Sequence, residues 1–180
     1  MYPAPAFPAI PRRARTILAS SRGMTSPRKE SGAPADWRTH LIEDDADVAS
    51  LLQRTRRIAV LGIKTAAESM QPAYYVPLYA QKAGLEIVPV PVYYPDVTEI
   101  LGEPVFRAVA DITEPVDMVN VFRRSHKIEP HVDDILRARP ASVWFQLGIR
   151  NDEAAERLAK AGIDVVQDRC LLVELQAIGR

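Results

Sequence analysis

Ile58-Ala59-Val60-Leu61-Gly62 is a run of four apolar residues closed by a glycine. A run this short and continuous, with no polar alternation, suits a strand covered on both faces. Four similar runs follow: Ile87-Val88-Pro89-Val90, Met118-Val119-Asn120-Val121, Val143-Trp144-Phe145 and Val165-Val166. Helical patterns lie between them at 72–83, about 129–138 and 152–161. Two of these end in Ala83-Gly84 and Ala161-Gly162, where glycine supplies the left-handed conformation that closes a helix. Asn151 is placed to cap the last. Upstream, Val48, Leu51 and Leu52 recur at helical spacing, with Asp44 or Asp45 as the cap of a lead-in helix. Short buried strands alternating with helices predict an α/β, Rossmann-like, doubly wound and mostly parallel sheet of about five strands, with helices on both faces. Ligands of such sheets bind beyond the carboxyl ends of the strands.

Two loops leave those ends. Pro77 lies inside the 72–83 pattern, where it removes a backbone hydrogen bond unless it sits in the first turn. The helix is therefore expected to begin near Val76, leaving 62–75 as a long loop. The second loop, 91–104, holds Pro91, Pro95, Gly102, Pro104 and the adjacent Tyr93 and Tyr94.

The chain has 180 residues, enough for one domain with a good core. No apolar run approaches the roughly 20 residues of a transmembrane helix, so no membrane association is expected. Cys170 is the single cysteine and the three histidines are scattered, which excludes an internal disulfide and gives no metal-ligand spacing. Residues 1–29 carry Arg12, Arg13, Arg15, Arg22, Arg28 and Lys29 and no acid; removing those six from the 23 basic residues leaves 17 against 23 acids. A mildly acidic body argues against nucleic acid as a partner. Residues 1–34, rich in Pro, Ser, Ala and Arg and without periodicity, read as a disordered extension, with Met24 an alternative start, ahead of a domain over 35–180. The arginines suggest a transit peptide, but no apolar segment of secretory type follows them, and the expected setting is cytoplasmic.

Three places can carry chemistry. After the first strand come Gly62, Lys64, Thr65 and Ser69, ahead of a helix whose N-terminus attracts phosphate, although the full G-x-G-x-x-G fingerprint of a dinucleotide site is absent. A β-carbon at Gly62 is expected to intrude on a phosphate lying against this turn. Val121-Phe122-Arg123-Arg124-Ser125 offers two guanidinium groups for phosphate and an aromatic face, or else a solvated basic turn. Gln146 leaves its strand toward the same edge, where it can bond a ligand or satisfy a neighbouring backbone group. His126 and His131 read as surface helix positions, and Cys170 as a buried structural thiol, so no catalytic residue is assigned.

These blocks, with Pro72-Ala73-Tyr74-Tyr75-Val76, Ile100-Leu101-Gly102, Trp144-Phe145-Gln146-Leu147-Gly148 and Asp168-Arg169-Cys170, resemble the family of small stand-alone CoA-binding proteins. That family is similar to the N-terminal CoA-binding domain of the succinyl-CoA synthetase alpha subunit and of ADP-forming acyl-CoA synthetases. The resemblance spans roughly 45–178. It implies CoA across the carboxyl edge of the sheet, with phosphates near Gly62, Ile63 and Lys64 and the nucleotide reached from the turn at Val90 and Pro91. It further implies that Phe122, Arg123 and Arg124 line the site and that Gln146 and Gly148 close one side; Ser69 and Tyr74 are also expected among the cofactor-binding residues. Val90-Pro91-Val92 stands where the family commonly shows Val-Asn-Pro, and Ala73 where it shows serine. The phosphohistidine domain of the synthetases has no counterpart here. The leading reading is a non-catalytic module binding CoA or an acyl-CoA for sensing, buffering or delivery. The alternatives are a CoA-dependent transferase or thiol-handling enzyme using Cys170, and an adaptor with a vestigial pocket that meets a protein partner through exposed Tyr93 and Tyr94.

Overall fold

A computed structural model describes residues 36–180 of the chain; the expected extension at 1–34 and the alternative start at Met24 lie outside the described residues. In chain order come α1 (Asp45–Arg54), β1 (Arg57–Leu61), α2 (Pro72–Lys82), β2 (Glu86–Val90), the two-residue strands β3 (Glu99–Ile100) and β4 (Glu103–Pro104), β5 (Met118–Val121), α3 (Glu129–Ala138), β6 (Ser142–Gln146), α4 (Asp152–Lys160), β7 (Asp164–Arg169) and α5 (Leu171–Ala177). The five long strands form one sheet in the order β2-β1-β5-β6-β7, every pair parallel, and β3 and β4 form a separate hairpin. The fold is α/β and Rossmann-like.

Strand periodicity divides the core. Ala59, Leu61, Val119, Val121, Val143 and Phe145 pack with Val132 and Ile135 of α3 and Leu158 of α4. The alternate residues Ile58, Val60, Met118 and Trp144 pack with Leu51 and Leu52 of α1, Val76 of α2 and Leu175 of α5. Each face of the sheet therefore has its own apolar layer, and continuous apolar strands are what such a sheet demands. Both sheet edges are blunted. Pro89 offers no N–H on β2 and its carbonyl accepts from Phe106 N, while Ile42 N donates to Val165 O beside β7.

The helix ends follow the sequence. Asp44 accepts from Ala46 N at the start of α1, Asn151 accepts from Ala154 N at the start of α4, and Gly84 and Gly162 take positive φ after α2 and α4. One expectation needs correction. Helix α2 begins at Pro72, not near Val76, and runs through Pro77. A proline cannot donate to the carbonyl four residues back, but the freed Ala73 carbonyl accepts instead from Lys64 N, at 3.0 Å. After the last strand, Leu171 and Leu175, four apart and buried, anchor α5 against the sheet. No helix among the described residues is long and apolar enough to cross a membrane.

Candidate functional site

After β1 the chain crosses to β2 on one side and then returns past β1 to β5 on the other. The carboxyl ends of β1 and β5 thus diverge at a topological switch point, where open α/β sheets bind ligands. Two turns meet there. Gly62 N donates to Val90 O at 2.8 Å and Phe122 N to Leu61 O at 2.9 Å, carrying the ladder one residue beyond the strands. A cavity of about 530 Å³ opens above them, and its lining includes Gly62 and Lys64 from one turn, Phe122, Arg123, Arg124, Ser125 and His126 from the other, and Gln146 at the end of β6 with Leu147, Gly148 and Ile149 after it. Gln71, Pro72 and Ala73 bring the start of α2 to the same cavity, and this helix start has no side-chain cap. Pro72 has no N–H and Tyr74 N donates to Gln71 O, so the start of α2 offers the cavity the Ala73 N–H, which beside the arginines suits an anion. Arg123 adds a second sign of the same kind, because its Nε is buried and finds no partner among the described residues.

Tyr93 forms one wall. Lys64 Nζ lies 5.1 Å and the Arg123 guanidinium 5.4 Å from its ring centre, and Arg123 Nη1 donates to its hydroxyl at 3.3 Å. That hydrogen bond, with the charge of Arg123, lowers the Tyr93 hydroxyl below the usual phenol range. Tyr94 is not the exposed partner of Tyr93 that the sequence suggested. It turns inward at φ 69°, donates to the Glu68 carboxylate and accepts from Lys64 Nζ at 2.9 Å. Thr65 also donates to Glu68, at 2.9 Å. These contacts latch the β1–α2 loop to the loop after β2.

The Tyr94 hydroxyl first, and then Thr65, hold the Glu68 carboxyl below its ordinary range. The Tyr94 bond raises Lys64, and burial raises Tyr94. For a carboxyl whose folded value is depressed, the latch is complete above the ordinary carboxylate range and is lost as pH falls through the depressed value. In Tyr94→Phe the Glu68 carboxyl is expected to titrate at higher pH than in the parent, as read by NMR; an unchanged titration removes Tyr94 from the latch.

The residues matching the family model for the CoA binding domain are 56–176, which include both turns and the cavity they enclose. The chain belongs to the CoA-binding domain family. It is 34% identical over 128 residues to the uncharacterized protein YneT of Bacillus subtilis (strain 168), covering 71% of this chain and 91% of that one. The solved structure of cell-free ID.343 from Thermus thermophilus is 37% identical with a TM-score of 0.69, over 76% of this chain and 99% of the other. A dinucleotide-forming acetyl-coenzyme A synthetase from Ca. Korarchaeum cryptofilum, at 19% identity and a TM-score of 0.53, shares the fold over 65% of this chain and 27% of its own.

Within this CoA-binding domain, the residues singled out from the sequence divide into two groups. Gly62, Lys64, Phe122, Arg123, Arg124, Gln146 and Gly148 line the one cavity. Ile63 does not, because its side chain is buried in the core at 1% exposure. Ser69 is exposed at the end of a short 3-10 turn, Tyr74 is half-buried on α2, and neither lines the cavity. Val90 contributes its carbonyl to Gly62 N, and Pro91 lines a neighbouring cleft of about 260 Å³ with Tyr93, Arg107, His131 and Asp134. His131 is thus not a plain surface residue; burial, and then Arg123, lower its imidazole below the usual range. Cys170 is partly exposed at the start of α5, outside the cavity lining. A further cleft of about 220 Å³ beside β7 holds charges already paired, Arg169 with Asp45 and Glu174, and Arg150 with Asp152.

Gln146 is 4% exposed and its amide is engaged. Nε2 donates to Asn120 Oδ1 at 3.0 Å and Oε1 accepts from Leu171 N at 3.3 Å, so it ties the middle of the sheet to the start of α5. Gly148 N is likewise taken, by Asp168 Oδ1 at 2.6 Å. These two residues shape the cavity wall through the protein's own hydrogen bonds. Gln146→Leu leaves Leu171 N and Asn120 Oδ1 unpaired and is expected to cost about 1–3 kcal/mol. Urea unfolding checks this, an unchanged midpoint being the contrary result. Sequence reading missed Tyr93 as a carrier of cations and Leu147 and Ile149 as lining. The only signal available for the latter was their position beside Gln146.

Proposed function

We propose that this domain, residues 35–180, binds coenzyme A with its diphosphate over the carboxyl ends of β1 and β5, as a binding module for sensing, buffering or delivering the cofactor. The observation that carries the proposal is the convergence of Gly62, Lys64, Arg123, Arg124 and the uncapped start of α2 on one cavity, with a buried, unpartnered Arg123 Nε beside it. Phosphate oxygens accept from arginine and from a helix-start N–H such as that of Ala73, and the charge-assisted bonds to arginine are the strong ones. The neighbouring cleft past Tyr93, with Arg107 and His131, lies on the β2 side, and we assign the 3′-phosphoadenosine end to it. Phe122 offers its face to the uncharged part of the ligand.

A binding role also accords with the cavity's other groups. Its lining includes no Asp, Glu or Cys, the Ser125 hydroxyl accepts from Arg150 N, and its imidazole, His126, is exposed. Thermal shift with CoA, ATP, ADP and AMP in parallel tests the reading. At a ligand concentration of about 100 times Kd, binding adds roughly 2.7 kcal/mol. For a domain of this size that raises the melting temperature by about 5–10 °C. Selective stabilisation by CoA is expected, and silence toward every nucleotide defeats the proposal.

A further inference from the structure

Two exposures are unexplained by the fold. Leu147, the residue directly after β6, is 67% exposed, and Met70, which precedes the cavity-lining Gln71, is 88% exposed. Leu147 lines that cavity itself, while the cavity's cations lie elsewhere along the sheet edge. The strand order puts Tyr93 and Arg107 beyond β2, Lys64 beyond β1, Arg123 and Arg124 beyond β5, and Leu147 and Ile149 beyond β6. With neighbouring strands about 4.8 Å apart, the apolar rim is displaced to one side of the phosphate-binding turns, opposite the Arg107 cleft.

Coenzyme A has a matching order, because its diphosphate lies between the 3′-phosphoadenosine and the pantetheine arm that ends in the thiol. A diphosphate over β1 and β5, with the charged nucleotide on the Arg107 side, directs the thiol toward β6. There the arm meets Leu147 and Ile149, and Arg150, the next residue, is occupied by Asp152. Resting on the CoA reading above, we infer that the ligand is an acyl-CoA whose acyl group is an apolar chain seated against Leu147 and Ile149, and not free CoA or a carboxylated thioester. Free CoA leaves these side chains in water. A carboxylated acyl group finds no unpaired cation among the described residues of this segment.

Calorimetric titration of the full chain with CoA, acetyl-CoA, succinyl-CoA and octanoyl-CoA tests the inference. Complete burial of one methylene strengthens binding by about fourfold. The rim is open, so the octanoyl ester is expected to bind at least about tenfold more tightly than the acetyl ester, and the succinyl ester no more tightly than the acetyl. Leu147→Ser, at an exposed position that does not threaten the fold, is expected to remove most of the octanoyl-to-acetyl ratio. Equal affinity for CoA and octanoyl-CoA, or a ratio untouched by Leu147→Ser, overturns the acyl inference while leaving CoA binding standing. Failure of CoA and of all three esters to bind overturns both.

Discussion

Gly62→Ala is expected to unfold the domain at a markedly lower temperature, whether or not a ligand is present. Gly62 has φ +88°, and a β-carbon built there lies 2.6 Å from the Phe122 carbonyl oxygen and 3.2 Å from Arg123 Cδ. The carbonyl belongs to the turn after β5, fixed by Phe122 N donating to Leu61 O, so it cannot move aside without opening the β1–β5 ladder. The left-handed backbone alone costs an L-residue about 1–2 kcal/mol. With the overlap added, a total of about 2–4 kcal/mol and a fall of about 5–15 °C follow. Calorimetric melting checks this, and a melting temperature within a degree or two of the parent contradicts the contact. The expectation that a β-carbon here intrudes on bound phosphate is thereby revised. The glycine is required by the close approach of two protein turns, so a binding defect in this variant does not by itself report on the ligand.

That revision shows where sequence reading reaches its limit. The five sheet strands and the cap at Asn151 depend on local composition, and they are visible in apolar runs and helix-end residues. The two arginines could be placed at the switch point because their strand was recognised. The start of α2 was not legible, because the rule against interior proline assumes a stranded carbonyl, and the partner of that carbonyl, Lys64 N, comes from another part of the chain. Helix α5 was missed for a different reason: Leu171-Leu172-Val173 reads locally as more strand, and only the buried pair Leu171 and Leu175 reveals the helical period. The Tyr93 wall and the Tyr94 latch depend on a positive φ at Tyr94, which no periodicity encodes.

Replacement of Arg123 or Arg124 by alanine is expected to weaken CoA binding far more than it weakens folding. Arg124 is exposed, and its side chain carries no hydrogen bond or ion pair to another described residue, its carbonyl alone accepting from Lys127 N. Arg123 makes only the 3.3 Å bond to the Tyr93 hydroxyl and its stacking contact, while its buried Nε awaits an acceptor. A bond to a charged group contributes about 1.5–3 kcal/mol, so loss of one raises the dissociation constant about tenfold or more. The melting temperature of the unliganded variants is expected to stay within about 2–4 °C of the parent, which corresponds to roughly 1 kcal/mol.

The most direct test of the central claim is therefore isothermal titration of CoA into the parent chain, Arg123→Ala and Arg124→Ala, each first shown by circular dichroism to be folded. One CoA is expected to bind saturably per parent chain, about tenfold or more weakly in each variant. Heat signals indistinguishable from buffer in the parent, or the same affinity in all three proteins, would contradict it.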